Sequence, residues 1–127
     1  MTPEAHFKGV WNGEKEQVHV NVPLILFEED GAQIVYCPAL DVSGYGKDET
    51  EAKQSFEVSL GEFFRYLLNK KTFVAELRRL GWTINGKDDT APKPPSMTKL
   101  LSENENFSRI FNNFPFQKID SNITLPA

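Results

Sequence analysis

Val18, Val20 and Val22 alternate with His19, Asn21 and Pro23, a period of two that marks a strand with one buried face. From Leu24 to Phe27 every position is apolar, so this part of the strand is expected to be covered on both sides. Pro23 has no backbone N–H to donate, which predicts a bulge or a locally unpaired edge. Glu28-Glu29-Asp30-Gly31 reads as a turn, and Gln33 to Cys37 returns as an apolar strand, closing an antiparallel hairpin. The acidic tip is expected to be solvated, because it offers too few oxygen ligands for a calcium loop. Upstream, Met1 to His6 is polar and expected to fray. Phe7 to Trp11 suits a strand, and Asn12-Gly13 is a two-residue hairpin signal.

The stretch from Tyr36 to Ala52 reads as a strand end, a reversal, a short strand and a helix start. Pro38 ends regular pairing. Val42 to Tyr45 forms the short strand, with Gly44 and Gly46 allowing bends that side chains would block. Asp48 and Glu51 have capping-box spacing, worth about 1 kcal/mol. Ala52, Phe56, Leu60, Phe63 and Leu67 then recur at helical spacing, widened by Ser59 and Phe64, and predict a helix lying on one face of the sheet. Glu51, Lys53, Gln54, Glu57 and Glu62 fall mainly on its other side. Gly61 costs that helix about 1 kcal/mol relative to Ala, and Lys70-Lys71 suits its negative end. Thr72 is placed to cap a second helix from Phe73 to Leu80, Gly81 to stop it, and Trp82 to Ile84 to add a short strand before the turn at Asn85-Gly86.

Composition then shifts. Residues 87–96 hold Asp88-Asp89, Pro92, Pro94 and Pro95 and read as a linker. Ser96 is placed to cap a short helix through Leu101. Phe107, Ile110, Phe111 and Phe114 have helical spacing, and Lys118 to Leu125 is strand-like with Ile119, Ser121, Ile123 and Leu125 on one side. The expected fold class is α+β: an antiparallel sheet of three to four strands packed by one main and one short helix. The expected organisation is a domain over 1–86, a linker over 87–96 and a Phe-rich extension over 97–127. An extension this aromatic has to pack somewhere. Either it returns to its own sheet, or Phe107, Phe111, Phe114 and Phe116 anchor it on a second subunit or a partner.

The order strand, Tyr36-Cys37-Pro38-Ala39-Leu40, Gly-containing strand, acidic cap, Glu51-Ala52 and helix resembles the N-terminal domain of HicB-like antitoxins, over Val18 to Leu68. After Leu40 the family commonly has Pro-Gly, where this chain has Asp41. The resemblance implies a reduced ribonuclease H-like fold. It also implies an antitoxin that binds and occludes a small, basic, HicA-like ribonuclease toxin. The alternative is a homo-oligomeric or RNA-associated interaction module of the same fold without a toxin. Relatives often carry a C-terminal DNA-binding module. Lys118 to Pro126 looks like a ribbon strand, but the two helices of such a module do not follow, so specific DNA binding is expected to be weak or absent. Leu77-Arg78-Arg79-Leu80-Gly81-Trp82 is similar to part of the cognate toxin. That toxin's working histidine follows its Gly-Trp-like turn, whereas the last histidine here is His19.

Catalysis is not expected. Two-metal hydrolysis needs converging carboxylates, and Val18 to Phe27 contains no Asp or Glu. Of the carboxylates nearby, Asp48 and Glu51 are explained by the cap, which leaves Asp41. His19 alternates with valines and reads as a solvent-face residue, and His6 is the only other histidine. No catalytic, cofactor or metal residue is therefore assigned. Arg65, Lys70, Lys71, Arg78 and Arg79 are the candidates for nucleic-acid backbone contact, with Tyr66 for stacking. Charge placed at helix ends is the simpler account of that set. The net charge of −4 over 127 residues also disfavours a general nucleic-acid binder. Ten phenylalanines can supply a sizeable core. The single cysteine, Cys37, excludes an internal disulfide and is expected to be a buried thiol. No leader-like segment and no apolar run near the roughly 20 residues of a membrane span is evident, so a cytoplasmic, oligomeric protein is expected.

Overall fold

The computed structural model describes residues 4–8, 17–84 and 92–126. Its central element is β2 (Gln17–Glu29), in which the two hydrophobic patterns become two packing layers. Val20, Val22, Leu24 and Leu26 are buried on one face of the sheet, in a core shared with Ala52, Phe56, Leu60 and Phe64. Ile25 and Phe27 are buried on the other, with Tyr36, Leu100, Phe107 and Ile110. The apolar run is thus covered on both sides, as its composition requires.

β2 turns into β3 (Ala32–Cys37) through Asp30 and Gly31, whose φ values of 53° and 82° suit the two-residue turn that matches strand twist. β4 (Val42–Gly46) pairs antiparallel with β3. β5 (Phe116–Pro126) pairs antiparallel with β2 from Gln17↔Pro126 to Phe27↔Phe116. β1 (Glu4–Lys8) runs parallel to β5, giving the order β1-β5-β2-β3-β4. The chain is therefore α+β, with four antiparallel strands and a fifth added in parallel. Two sequence expectations change here. Residues 4–6, expected to fray, belong to a strand. That strand does not form a hairpin with β2: it runs beside β5, which lies between the two; Asn12-Gly13 itself lies outside the described residues. Pro23 meets the second of its two expectations: the register with β5 runs past it without a bulge, and the ladder to β3 stops at Ile25↔Tyr36, so Pro23 lies on a locally unpaired edge.

The main helix α1 (Glu49–Lys70) starts as its cap predicts. Asp48 accepts from the Glu51 N–H at 2.9 Å, and the Glu51 side chain reaches back to the Lys47 N–H, also at 2.9 Å. Ala52, Phe56, Leu60, Phe64 and Leu67 are buried against the sheet, and Phe63 is half-buried. Gly44 and Gly46 are needed for close approach: a Cβ on Gly44 would overlap the Phe56 backbone nitrogen, and one on Gly46 would overlap the Glu51 Cβ. α1 also protects the β4 edge, since Ser55 Oγ accepts from the Tyr45 N–H at 3.1 Å.

α2 (Phe73–Arg79) follows, but Thr72 makes no side-chain capping bond. Gly81, at φ 98°, ends the helix. The Trp82 N–H bonds to the Leu77 carbonyl and the Gly81 N–H to that of Arg78, both at 3.0 Å. Trp82 is buried and donates its indole N–H to the Ala39 carbonyl at 2.8 Å, tying the helix end to the turn after β3. In place of the expected short strand there is a single bridge, Thr83↔Lys93. The expected linker over 87–96 lies partly outside the described residues; within its described part, Lys93 is paired and Pro95 packs near Gly81.

α3 (Met97–Glu103) and α4 (Glu105–Asn113) then cover the second face of the sheet. The described part of the expected 97–127 extension, residues 97–126, is therefore not separate from the domain. Their helices carry half of one core and β5 lies inside the sheet, where Ile119, Ser121, Ile123 and Leu125 are buried, as their alternation predicts. No helix among the described residues is long and apolar enough to cross a membrane.

Candidate protein-interaction surface

The turn after β3 organises one corner of the molecule. The Leu40 and Asp41 N–H groups both reach the Cys37 carbonyl, at 3.3 and 2.8 Å, and Asp41 takes a left-handed φ of 56°. A Pro-Gly pair would suit such a position; aspartate also tolerates it, at some cost. This conformation lets the Asp41 carboxylate accept the Tyr36 hydroxyl at 2.5 Å. Burial, and then that hydrogen bond, push the Tyr36 phenol well above its ordinary value. Burial likewise pushes the Cys37 thiol up to about 12, so it is a poor nucleophile.

Asn104, between α3 and α4, locks this turn to the helices. Its Nδ2 donates to the Tyr36 hydroxyl at 2.9 Å and to the Pro38 carbonyl at 3.3 Å, while its Oδ1 caps α4 by accepting the Phe107 N–H at 3.0 Å. Beside it lies a groove of about 620 Å³, walled by Pro38 and Asp41, by Arg79 and Leu80 after α2, and by residues from Pro95 to Arg109. Two of its three cations, Arg79 and Arg109, are engaged, whereas Lys99 makes no ion pair among the described residues. Arg79 grips Glu76 through two bonds, at 2.8 and 2.5 Å, and holds that carboxyl below its usual range. Arg109 approaches Glu29 at 3.5 Å and stands 5.5 Å from the Phe114 ring centroid. Glu103 and Glu105 also make none, so the unpaired charges here are two carboxylates beside the one ammonium of Lys99.

Arg109 joins this groove to an aromatic patch. Pairing sets Phe116, Phe27, Ile34 and Tyr45 in one row across four strands. Phe114 stacks on Phe27 at 5.2 Å, and Phe111 on Phe116 at 5.5 Å. Phe111 is 44% exposed, whereas Phe114 and Phe116 are half-buried. Phe107 has to be corrected as an anchor: it is 0% exposed, filling the second core, so no partner can reach it.

The five basic candidates do not converge on this corner. Only Arg79 lines the groove. Arg78 donates to the Ile84 carbonyl at 3.0 Å, Lys70 lies 5.8 Å from the Tyr66 ring centroid, and Lys71 forms the left-handed C-cap of α1. Arg65 is exposed on α1. Among the described residues no three His, Cys, Asp or Glu side chains are grouped to hold a metal ion. Asn104 and Arg109 were not legible as site residues. Asn before Glu105 and the apolar Phe107 carries an N-cap signal, but its reach to Tyr36, 68 residues away, has none. Comparison with protein-family models, with curated proteins and with solved structures finds no match to this chain.

Proposed function

We propose that this is a non-enzymatic partner-binding protein, acting in the cytoplasm as the antitoxin of a toxin–antitoxin pair and occluding a small, basic, HicA-like ribonuclease toxin. The antitoxin part rests on the resemblance over Val18 to Leu68. The binding part rests on one observation: Phe111 is left partly exposed on an aromatic cluster that Arg109 joins to a groove where Glu103 and Glu105 make no ion pair among the described residues. Aromatic and arginine side chains supply most hot spots in protein interfaces, and free carboxylates complement a basic partner. Phe111, Phe114 and Phe116 are the contact residues in this proposal, and specific DNA binding is weak or absent.

The test is whether a small basic protein is encoded beside this gene and, on co-expression with it, whether growth is rescued and the two co-purify. Rescue and a stable complex are expected, and Phe111→Ser is expected to weaken binding by about 2 kcal/mol, or roughly thirtyfold. Failure to co-purify or to rescue growth refutes the antitoxin proposal. Magnesium-dependent RNA cleavage that is lost in Asp41→Asn refutes the non-enzymatic one.

A further inference from the structure

The groove beside Asn104 has two layers of different chemistry. Pro38 and Leu100 are buried beneath it, and Leu80 and Pro95 are half-buried at its side, so its floor is apolar. Its rim is charged. Arg79 and Arg109 each stand with a carboxylate of their own, Glu76 and Glu29. Beside the unpaired Glu103, Glu105 and Lys99 stands Asp41, which also makes no ion pair among the described residues. Its Oδ1 is held at 2.5 Å by the Tyr36 hydroxyl, a neutral donor that brings no opposite charge. Asp41 sits at a left-handed φ of 56°, which glycine adopts without strain, so the turn itself does not require an acid there.

We infer that this groove receives an arginine side chain of a basic protein, its methylene stem on the apolar floor and its guanidinium among Asp41, Glu103 and Glu105. The assignment rests on the groove being part of the partner-binding surface proposed above. Arginine has the matching two-part chemistry, an apolar stem that can lie along a greasy wall and a planar fork of N–H donors that meets carboxylates in pairs. The groove volume of about 620 Å³ leaves room for the flanking backbone of an extended segment. Lysine would bring a point charge where the guanidinium bridges two carboxylates. An anion is disfavoured, because two of the three cations already face a carboxylate. An uncharged occupant would strip water from the rim carboxylates and give them no partner. Lys99 opposes a cationic occupant, so its removal strengthens the binding of arginine.

Titration of the full chain with an acetylated, amidated Gly-Arg-Gly peptide at up to about 10 mM, followed by amide NMR shifts, tests this without a partner protein. Saturable shifts centred on Asp41, Leu100 and Glu105 are expected. The same peptide with citrulline, which keeps the stem and loses the charge, is expected to bind about tenfold more weakly. Asp41→Gly, which suits the turn, and the pair Glu103→Gln with Glu105→Gln are each expected to weaken the arginine peptide about tenfold. Lys99→Gln is expected to tighten it a few-fold. Absence of a saturable shift, equal binding of the citrulline peptide, or binding indifferent to the carboxylate variants overturns the inference. So does weaker binding in Lys99→Gln. The antitoxin proposal fails separately: peptide binding as described with no toxin complex refutes that proposal alone, whereas a toxin complex that these carboxylate variants leave unweakened overturns the inference alone.

Discussion

Asn104 makes three hydrogen bonds that two substitutions can separate. Asn104→Ala removes the α4 cap, worth about 1 kcal/mol, and the bonds to the Tyr36 hydroxyl and the Pro38 carbonyl. The shorter of those, at 2.9 Å and partly buried, adds about 1 kcal/mol. The expected loss is therefore about 2 kcal/mol, a substantial part of the 5–15 kcal/mol typical of a domain. Asn104→Ser keeps a competent cap but is too short to reach Tyr36, so it is expected to lose only about 1 kcal/mol. Urea unfolding should show both losses as a lower midpoint at constant slope. A double-mutant cycle with Tyr36→Phe should return a coupling of about 0.5–1 kcal/mol. If Asn104→Ser is as stable as the native chain and the cycle shows no coupling, the bridge between the turn and the helices stabilises nothing.

Gly44→Ala is expected to cost several kcal/mol, because its Cβ meets helix backbone that cannot turn aside; a loss under about 1 kcal/mol in urea would show that α1 can shift. Ser121 is 1% exposed and its hydroxyl has no hydrogen-bond partner, so Ser121→Ala is expected to raise stability by about 1 kcal/mol, read as a higher urea midpoint; destabilisation would contradict this. Cys37 and Tyr36 both hold their protons more tightly in the folded state. Their contribution is therefore fully present below pH about 9 and is lost as pH rises towards about 12, because the unfolded chain releases those protons first. Stability that stays flat over that range, or rapid Cys37 alkylation of the native chain at neutral pH, would contradict the burial of these groups.

Local chemistry was the legible part of the fold. The valine alternation, the apolar run after it, Asp30-Gly31, the Asp48 cap and the Gly81 stop each act within a few residues, and each appears where its pattern places it. The misreadings concern partners distant in sequence. Asn12-Gly13 suggests that the first strand neighbours β2, but a strand over a hundred residues later takes that edge. Composition alone sets residues 87–96 apart as a spacer, although Thr83↔Lys93 and the packing of Pro95 near Gly81 draw its described part into the body. The candidate surface was half legible: aromatic content flagged Phe111, Phe114 and Phe116. Nothing local distinguishes them from Phe107, whose inward position depends on how α4 meets Ile25 and Phe27.

The place of β5 between β1 and β2 has a consequence for biosynthesis. A ribosome delivers β1 more than a hundred residues before β5, its strand neighbour among the described residues. Until Phe116 to Pro126 emerge, β2 presents a long open flank and neither apolar layer is complete, so the nascent sheet cannot settle until β5 has left the ribosome. Such late, distant pairing slows folding and exposes sticky surface meanwhile. Deleting the codons for Phe116 to Pro126 should therefore yield inclusion bodies, not a trimmed but intact molecule.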